Sequence, residues 1–298
     1  MYLSLNQAFR SHFGQKGYKI SLSGGMTCPN RDGTLGNRGC IFCSGAGEFA
    51  QKGSSVTQQI EKAAARVEQK NKNGLYIAYF QDYTNTYAPV SRLRELFFEA
   101  ISHPRVAVLS VATRPDCLPE EVLDLLEELN RVKPVWVELG LQTIHESTAA
   151  FLRRGYPLSV YDNAVEALHR RGIQVITHLI LGLPGETEEM VYQTVSHVGN
   201  RTDGVKFHLL HVVKGTDLEA LYRKGRISTM SFPAYAHLLG ECINRLPPHV
   251  VIHRVTGDGD KRTLLAPLWS GDKKHVLNAL NKVFLSENVK QGKLYLDN

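Results

Sequence analysis

Short apolar runs rich in β-branched residues alternate along this chain with longer amphipathic stretches. Several of the longer stretches repeat apolar residues at three- and four-residue intervals, which indicates helices that bury one face. The short runs predict six strands: YKISLS (18–23), LYIAYF (75–80), RVAVLSV (105–111), PVWVELG (134–140), IQVITHLIL (173–181) and GVKFHLL (204–210). The longer stretches predict six helices: SVTQQIEKAAARVEQK (55–70), VSRLRELFFEAIS (90–102), LPEEVLDLLEELN (118–130), SVYDNAVEALHRRG (159–172), TEEMVYQTVSHVGN (187–200) and FPAYAHLLGECINRL (232–246).

This alternation predicts an α/β fold in which parallel strands are joined by right-handed crossovers. Six such units fit either an open doubly wound sheet or an incomplete barrel. The last 50 residues break the alternation with VVIHRVTGDGDKRTLLAP and a terminal helix from about Asp272. We therefore predict a core over residues 1–248 and a C-terminal extension, residues 249–298, packed on that core.

Composition narrows the class of protein. The 298 residues contain ordinary apolar and charged fractions, no apolar run of membrane-spanning length and no apolar signal core near the start. Five cysteines, an odd number with three clustered, argue against a secreted disulfide framework. We expect a cytoplasmic protein in a reducing environment, without a membrane segment.

The net charge of +6 is unevenly distributed. Residues 1–52 carry six Lys or Arg against two Asp or Glu, and residues 249–298 carry eight against five. The positive excess at both ends could bind a polyanion, although a mildly basic solvated surface is the simpler explanation of charge alone.

Three cysteines in CPNRDGTLGNRGCIFC offer thiolates to one metal centre: Cys28, Cys40 and Cys43. Their loop follows the first predicted strand, at the edge of a parallel sheet where function collects. The glycines within it allow the backbone turns that bring the cysteines together. An iron–sulfur cluster can use three cysteines and leave one iron open for a ligand. A structural zinc ion with His12 or Asp32 as fourth ligand is the alternative.

The cysteine loop, together with TRPD (113–116), LGLQ (139–142) and LGLPGE (181–186), resembles the radical S-adenosylmethionine (radical SAM) superfamily. The wide first cysteine gap and ATRPDCLP (112–119) resemble its YtqA/YhcC branch. That branch is related to the catalytic subunit of elongator and, more distantly, to the oxygen-independent coproporphyrinogen oxidase. The resemblance covers about residues 17–225. It implies a partial (β/α)6 TIM-like barrel in which the three cysteines hold a [4Fe–4S] cluster.

The same resemblance implies that S-adenosylmethionine (SAM) binds the open iron and is cleaved to a radical that abstracts a substrate hydrogen. In FQDYTNTY (80–87), backbone carbonyls would accept from the SAM amino group, with Gln81 and Thr84 nearby. Gln142 would lie near the ribose, and Arg154 would pair with the SAM carboxylate. His178 occupies a position where some relatives place an acid that touches the ribose, although a core histidine is an equal alternative.

Two positions depart from the family pattern. Many relatives carry a glutamate at Ala112, and its absence leaves Arg114 and Asp116 to pair with each other at the strand end. Cys117 could donate a hydrogen atom, but a small buried residue is the more ordinary reading, and Cys242 on an apolar helix face is expected in the core.

Substrate contacts are also predicted. Lys206 and His208 alternate along the sixth strand, so both would face the barrel interior or both would pack under a helix. The branch resemblance implies tRNA as partner and the carbon-5 side chain of wobble uridine as target, with possible removal of a carboxymethyl group. Exposed aromatics such as Tyr83 or Tyr87 would stack a base. Phosphate contacts are expected from Arg254, Lys261, Arg262, Lys273 and Lys274.

The resemblance also implies a one-electron donor such as flavodoxin or ferredoxin. Two alternative functions remain at this point. One is radical SAM chemistry on a small molecule such as a tetrapyrrole-like carboxylate, and the other is a zinc-stapled RNA-binding protein.

Overall fold

The computed structural model describes residues 1–44, 55–68, 74–257, 259 and 261–295. The strands in chain order are β1 (Gly17–Leu22), β2 (Leu75–Phe80), β3 (Val106–Thr113), β4 (Val135–Gln142), β5 (Gln174–Leu181), β6 (Gly204–Leu209), β7 (Val212–Val213), β8 (Val251–Arg254) and β9 (Leu264–Ala266). The helices are α1 (Leu5–Phe13), α2 (Val56–Glu68), α3 (Val90–Ser102), α4 (Glu120–Val132), α5 (Glu146–Leu152), α6 (Leu158–Arg170), α7 (Glu188–Gly199), α8 (Asp217–Arg223), α9 (Phe232–Arg245) and α10 (Lys273–Ser286). Short 3₁₀ turns follow β3 and β9, at Pro115–Cys117 and Leu268–Gly271.

A single parallel sheet organises the described residues. Its strands run in the order β1-β2-β3-β4-β5-β6-β8, so each predicted strand pairs with the next one along the chain. The sheet curls into a partial barrel, and the predicted fold class is confirmed. Parallel strands bring their carboxyl ends to one rim, which places the cysteine loop after β1 beside the loops after β2, β3 and β4.

All six predicted strands and all six predicted helices are present, apart from residues 69 and 70, which lie outside the described residues. The outward side chains of the strands pack under the helices in one large apolar core that includes Leu22, Phe80 and Phe207. The terminal helix predicted from about Asp272 is α10, and the Asp272 side chain caps it by accepting from the His275 N–H at 3.1 Å.

Helix α1 closes the amino end of the barrel. The ring of Phe9 packs inside with Ile77, Val108, Trp136 and Ile176, which point inward from β2 to β5. This apolar plug fills the lower interior. Polar side chains one layer further along the strands therefore face a cavity at the opposite, carboxyl end.

A seventh strand was not predicted. Strand β8 lies in the segment assigned to the C-terminal extension and pairs with β6 in parallel. Both chain ends meet beside it: the Ile252 N–H donates to the Leu3 carbonyl at 2.8 Å, and the Met1 ammonium donates to the Val289 carbonyl at 2.9 Å. The boundary at residue 248 stays a prediction, and residues 258 and 260 of its TGDGD turn lie outside the described residues. The two basic ends of the chain are thus neighbours in space.

None of the helices in the described part of the chain combines the length and the apolar character that crossing a membrane requires.

Candidate functional site

The three clustered cysteines line one cavity of about 300 Å³ at the carboxyl rim of the barrel. Hydrogen bonds fold their loop back on itself: the Arg31 N–H donates to the Cys28 carbonyl at 2.8 Å, and the Cys43 N–H donates to the Cys40 carbonyl at 3.0 Å. Gly39 has a φ of 72°, in the left-handed region that favours glycine. The loop thereby presents three sulfurs to one space.

Asn30 anchors the middle of this loop. Its Nδ2 donates to the Arg153 carbonyl at 2.8 Å and lies 3.4 Å from Cys40 Sγ. Burial raises the pKa of the Cys40 thiol to about 11, and a bound cationic centre such as iron would favour its thiolate form. An amide donor at the sulfur is also a typical feature of iron–sulfur sites, where it tunes the cluster.

The donor set fits an iron–sulfur cluster better than zinc. No three His, Cys, Asp or Glu side chains in the described ranges converge on a single ion. A cubane cluster does not require such convergence, because each thiolate binds a different iron. The fourth ligands considered for zinc are elsewhere: His12 lines an apolar pocket at the closed amino end, and Asp32 is largely exposed and accepts from the Thr34 N–H at 3.0 Å.

The loop after β2 is fixed against the cysteine loop. The Thr84 N–H donates to the Thr27 carbonyl at 3.2 Å, and Asn85 Nδ2 donates to the carbonyls of Phe80 and Ala112 at 3.0 and 2.9 Å. Thr84 lines the cavity, and its buried hydroxyl has no hydrogen-bond partner within the described chain. An unsatisfied buried hydroxyl at a cavity wall is a ready contact for a polar ligand.

Other predicted SAM contacts line the same cavity. Gln81 Oε1 accepts from the Ser21 hydroxyl at 3.2 Å. Gln142 ends β4 with a φ of 72°, a strained backbone conformation that is common at binding sites. The cavity therefore collects residues from three loops, and their roles toward SAM stay predictions.

Arg154 also lines the cavity, but its guanidinium is occupied within the protein. Nε donates to the Tyr156 carbonyl at 2.9 Å, Nη1 to the Thr143 carbonyl at 2.6 Å, and Nη2 to the Glu146 carboxylate at 3.2 Å. Arg154 is 2% exposed. These contacts clamp the end of β4 to α5, so a bond to the SAM carboxylate requires Arg154 to give up a present acceptor.

Near Ala112, the predicted pairing is present. Arg114 donates through Nε and Nη2 to the two oxygens of Asp116, at 2.9 and 2.7 Å. Cys117 and Cys242 are both buried, as expected. Tyr83 and Tyr87, which were expected to be exposed, are both half-buried: Arg31 lies over the Tyr83 ring, and the Tyr87 hydroxyl bonds the Thr34 hydroxyl at 3.0 Å. Their stacking on a base stays a prediction.

A buried carboxylate, Glu138 on β4, lies at the centre of the barrel interior and was missed from the sequence. It accepts from four groups on four other strands. The donors are Lys19 Nζ at 2.5 Å, Ser110 Oγ at 2.6 Å, His178 Nε2 at 2.7 Å and Lys206 Nζ at 3.0 Å. Burial alone would raise the pKa of Glu138, but the two ammonium groups hold it well below the usual range. The sequence feature that could have identified this buried carboxylate is the single Glu inside the apolar run VWVELG.

The imidazoles beside this carboxylate are neutral. Burial and the Lys206 charge lower the pKa of His178 to about 4, although Glu138 opposes them. The pKa of His208 is also lowered well below its usual value, first by burial and then by His178 and Arg254. The two rings lie 5.1 Å apart, and His208 Nε2 is buried without a partner in the described chain. Lys206 and His208 therefore face the interior, not a helix.

The predicted phosphate contacts divide into two groups. Arg254 lines the cavity and also a larger cleft of about 600 Å³ between the edge strands β1 and β8. Lys16, Lys19 and Lys273 line the same cleft, and no described Asp or Glu does. Lys261, Arg262 and Lys274 are exposed and line neither space, so the structure does not bring them to the site.

Comparison with known proteins agrees with this site. Residues 33–198 match the model described as "Radical SAM superfamily", and residues 202–284 match "Radical_SAM C-terminal domain". "Uncharacterized protein YtqA" of Bacillus subtilis is 43% identical over 298 residues, covering 99% of this chain and 92% of that protein. The expected resemblance to this branch is confirmed.

Two more distant similarities are partial. The "tRNA uridine(34) acetyltransferase" of Methanocaldococcus jannaschii is 26% identical over 158 residues, which is 52% of this chain and 29% of that protein. The structure of archaeal Elp3 from Methanocaldococcus infernus matches with a TM-score of 0.72 at 17% identity, covering 92% of this chain and 64% of that one. At that identity the structural match supports the shared fold alone.

Proposed function

The chain belongs to the radical SAM superfamily, and on that premise we propose that it modifies the carbon-5 side chain of wobble uridine in tRNA. The proposed reaction removes a carboxymethyl group from the side-chain nitrogen and leaves aminomethyluridine. The observation that carries the proposal is the similarity to the tRNA uridine(34) acetyltransferase. This chain covers only 29% of that relative, so the shared property we propose is the uridine target and not acetyl transfer.

The charge of the lateral cleft supports an RNA partner. Five cations line it: Lys16, Lys19, Lys206, Arg254 and Lys273, of which Lys206 and Arg254 also line the cysteine-lined cavity. RNA-binding proteins gain most of their affinity from contacts between such groups and phosphates. The cleft shares Tyr79, Gln81, Lys206 and Arg254 with the cysteine-lined cavity, so a nucleotide side chain entering there reaches the interior.

Each part of the site has a proposed duty. Cys28, Cys40 and Cys43 would hold the [4Fe–4S] cluster, and the residues predicted around SAM would orient it. When bound, the cluster and SAM supply a carbon radical that removes a hydrogen atom from the substrate. The chain itself positions the substrate carbon and limits water through the closed amino end. The proposed partner for reduction is a cytoplasmic one-electron donor such as flavodoxin or ferredoxin.

The proposed reaction balances as a two-electron oxidation. The carbon between the amine and the carboxylate is oxidised, and SAM is the oxidant. Water supplies the oxygen of the two-carbon product. The net reaction converts the secondary amine, SAM and water into the primary amine, glyoxylate, methionine, 5′-deoxyadenosine and a proton.

Two measurements test this function. In a strain lacking the gene, digested tRNA should show more carboxymethylaminomethyluridine and less aminomethyluridine or its derivatives. In vitro, anaerobically reconstituted protein should release 5′-deoxyadenosine faster with total tRNA from that strain than without RNA. An unchanged wobble-uridine profile in the deletion strain would remove the proposal.

The small-molecule alternative makes the opposite prediction. A radical SAM enzyme for a small carboxylate would release 5′-deoxyadenosine without RNA and would show no RNA affinity at low salt. The zinc-stapled alternative is not retained, because the chain belongs to the radical SAM superfamily and neither His12 nor Asp32 reaches the thiols.

A further inference from the structure

The interior wall formed by β6 and β8 carries a concentration of hydrogen-bond donors. A register shift near His253 places Arg254 directly opposite Lys206 on the neighbouring strand. His208 follows two residues later on β6, so it shares the face of Lys206. All three side chains line the cysteine-lined cavity. The wall therefore combines a guanidinium, an ammonium and an imidazole within one small space.

Within the described residues, His208 Nε2 is buried without a hydrogen-bond partner, and the half-buried Arg254 forms no ion pair with a carboxylate. Buried polar groups in folded proteins are almost always satisfied. Groups left unsatisfied at a cavity wall indicate that a ligand supplies the missing partner.

Positive charge at this wall exceeds negative charge. Glu138 is the one carboxylate among the described residues that line the cavity or the cleft. Three cations surround it or face it, Lys19, Lys206 and Arg254, which leaves a formal excess of two positive charges. Of the other arginines that line the cavity, Arg114 and Arg154 are already paired with Asp116 and Glu146, and Arg31 donates to the Cys43 carbonyl. Uncompensated charge is costly where it is shielded from water, so an anion would be bound favourably at this largely buried wall.

We infer that Arg254, Lys206 and His208 form a subsite for a carboxylate at the end of a substrate side chain. A planar carboxylate matches the guanidinium fork, and the neutral His208 ring can donate one further hydrogen bond. An internucleotide phosphate carries chain on both sides, whereas a terminal carboxylate enters the interior end-on and reaches His208, which lines the cavity but not the cleft. The SAM carboxylate is the competing ligand for this subsite, and the SAM affinity of R254Q distinguishes the two carboxylates.

The identity of the substrate in this inference rests on the proposed function. The subsite adds a basis for selectivity between substrate and product. The substrate side chain ends in a carboxylate, which the wall neutralises. The product side chain ends in an ammonium group, which Lys206 and Arg254 would repel. The same residues would thus favour substrate binding and product release.

The test compares a carboxylate with its neutral amide on the reconstituted holoprotein. Two anticodon stem-loop RNAs carry carboxymethylaminomethyluridine or the corresponding primary amide at the wobble position. Wild-type protein should bind the acid about 10- to 100-fold more tightly, which is the usual range for a charge-assisted contact. R254Q should reduce this ratio to within about threefold, and R254K should restore part of it. R170Q makes the same charge change on the exposed face of α6 and should keep the wild-type ratio.

A second probe separates this inference from the tRNA function. N-benzylglycine carries the same carboxymethylamino group without RNA. If it binds in preference to its amide and loses that preference in R254Q, while neither stem-loop binds, the subsite stands and the tRNA function fails. If wild type binds both stem-loops equally, or R254Q weakens both equally, the subsite is overturned and the tRNA function survives. Weaker SAM binding in R254Q would assign the wall to the cofactor and also overturn the inference.

Discussion

Lys206 Nζ lies 3.0 Å from Glu138 Oε2 in the interior of the barrel, and the carboxylate side chain is completely buried. The same ammonium group donates to the Tyr79 hydroxyl at 2.8 Å. Burial and the neighbouring cations lower the pKa of Lys206, while Glu138 opposes them. This ion pair joins β4 to β6 through the middle of the barrel, across the strand that separates them in the sheet.

Removing the Glu138 charge should destabilise the fold strongly. E138Q leaves Lys19 and Lys206 without their carboxylate, and breaking a buried pair in this way costs about 3 kcal/mol or more. Urea denaturation of the cluster-free protein should show this loss in the free energy of unfolding. E61Q is a matched control, because the Glu61 side chain is 65% exposed and its ion-pair partner among the described residues is His103. Equal midpoints for the two variants would contradict the structural role of Glu138.

Acid should destabilise the protein through His178. Its pKa is lowered to about 4 in the folded state, whereas an ordinary histidine has a pKa of about 6.5. The unfolded chain therefore binds more protons between these values, and stability is lost as pH falls from about 6.5 to about 4. H178Q should make this part of the profile of unfolding free energy against pH less steep, while His208, whose pKa is also lowered by burial, retains part of the slope.

His169 provides the contrast for the acid profile. Its hydrogen bond to Asp203 raises its pKa, so its contribution is fully present below pH 6.5. H169Q should therefore not reduce the acid loss. A wild-type profile that is flat between pH 4 and 6.5 would show that His178 does not titrate as its burial requires.

The sequence predicts those features that depend on local pattern. Residue periodicity identifies the six strands, and the CxxC spacing identifies the thiols, since both are properties of adjacent residues. The strands and the cysteine spacing depend on the backbone preferences of neighbouring residues and on short loops, so local sequence is enough to identify them.

Individual side-chain contacts across the barrel interior were not predicted. Glu138 is an isolated acid in an apolar run. Its hydrogen-bond donors come from β1, β3, β5 and β6, so its environment becomes apparent only when the curved sheet brings these strands together. Strand β8 was missed because it is only four residues long and belongs to no strand–helix unit. Arg154 lies at the expected position. Its N–H groups are already hydrogen-bonded within the protein, and the sequence could not predict this because it depends on how the surrounding loops fold.

The cysteine loop should need each of its three thiols for iron. C40S should lower iron and acid-labile sulfide after anaerobic reconstitution and abolish release of 5′-deoxyadenosine on reduction. Cys117 is a matched control, because it is buried nearby but does not line the cavity. C117A should keep the iron content of wild type. Full iron loading in C40S would contradict the assignment of Cys40 as a ligand.

Thr84 and Thr86 provide a paired test of which hydroxyl serves a ligand and which serves the fold. The Thr84 hydroxyl has no partner in the described chain, whereas the Thr86 hydroxyl bonds the Cys117 carbonyl and the Thr113 hydroxyl, both at 2.5 Å. T84V removes an unsatisfied group, so the free protein should keep or gain thermal stability. If this hydroxyl contacts SAM, T84V should weaken SAM binding about 3- to 10-fold in equilibrium dialysis.

T86V should behave in the opposite way. It leaves the Cys117 carbonyl without its donor, which should cost about 1–2 kcal/mol in the free energy of unfolding while SAM affinity stays near that of wild type. The two variants make the same atomic change two residues apart, so a general weakening of this loop would affect both measurements in both proteins. Only a crossed result, with affinity lost in T84V and stability lost in T86V, agrees with a ligand contact at Thr84. If T84V binds SAM as wild type does, Thr84 is not a cofactor contact, and its hydroxyl must be satisfied in another way.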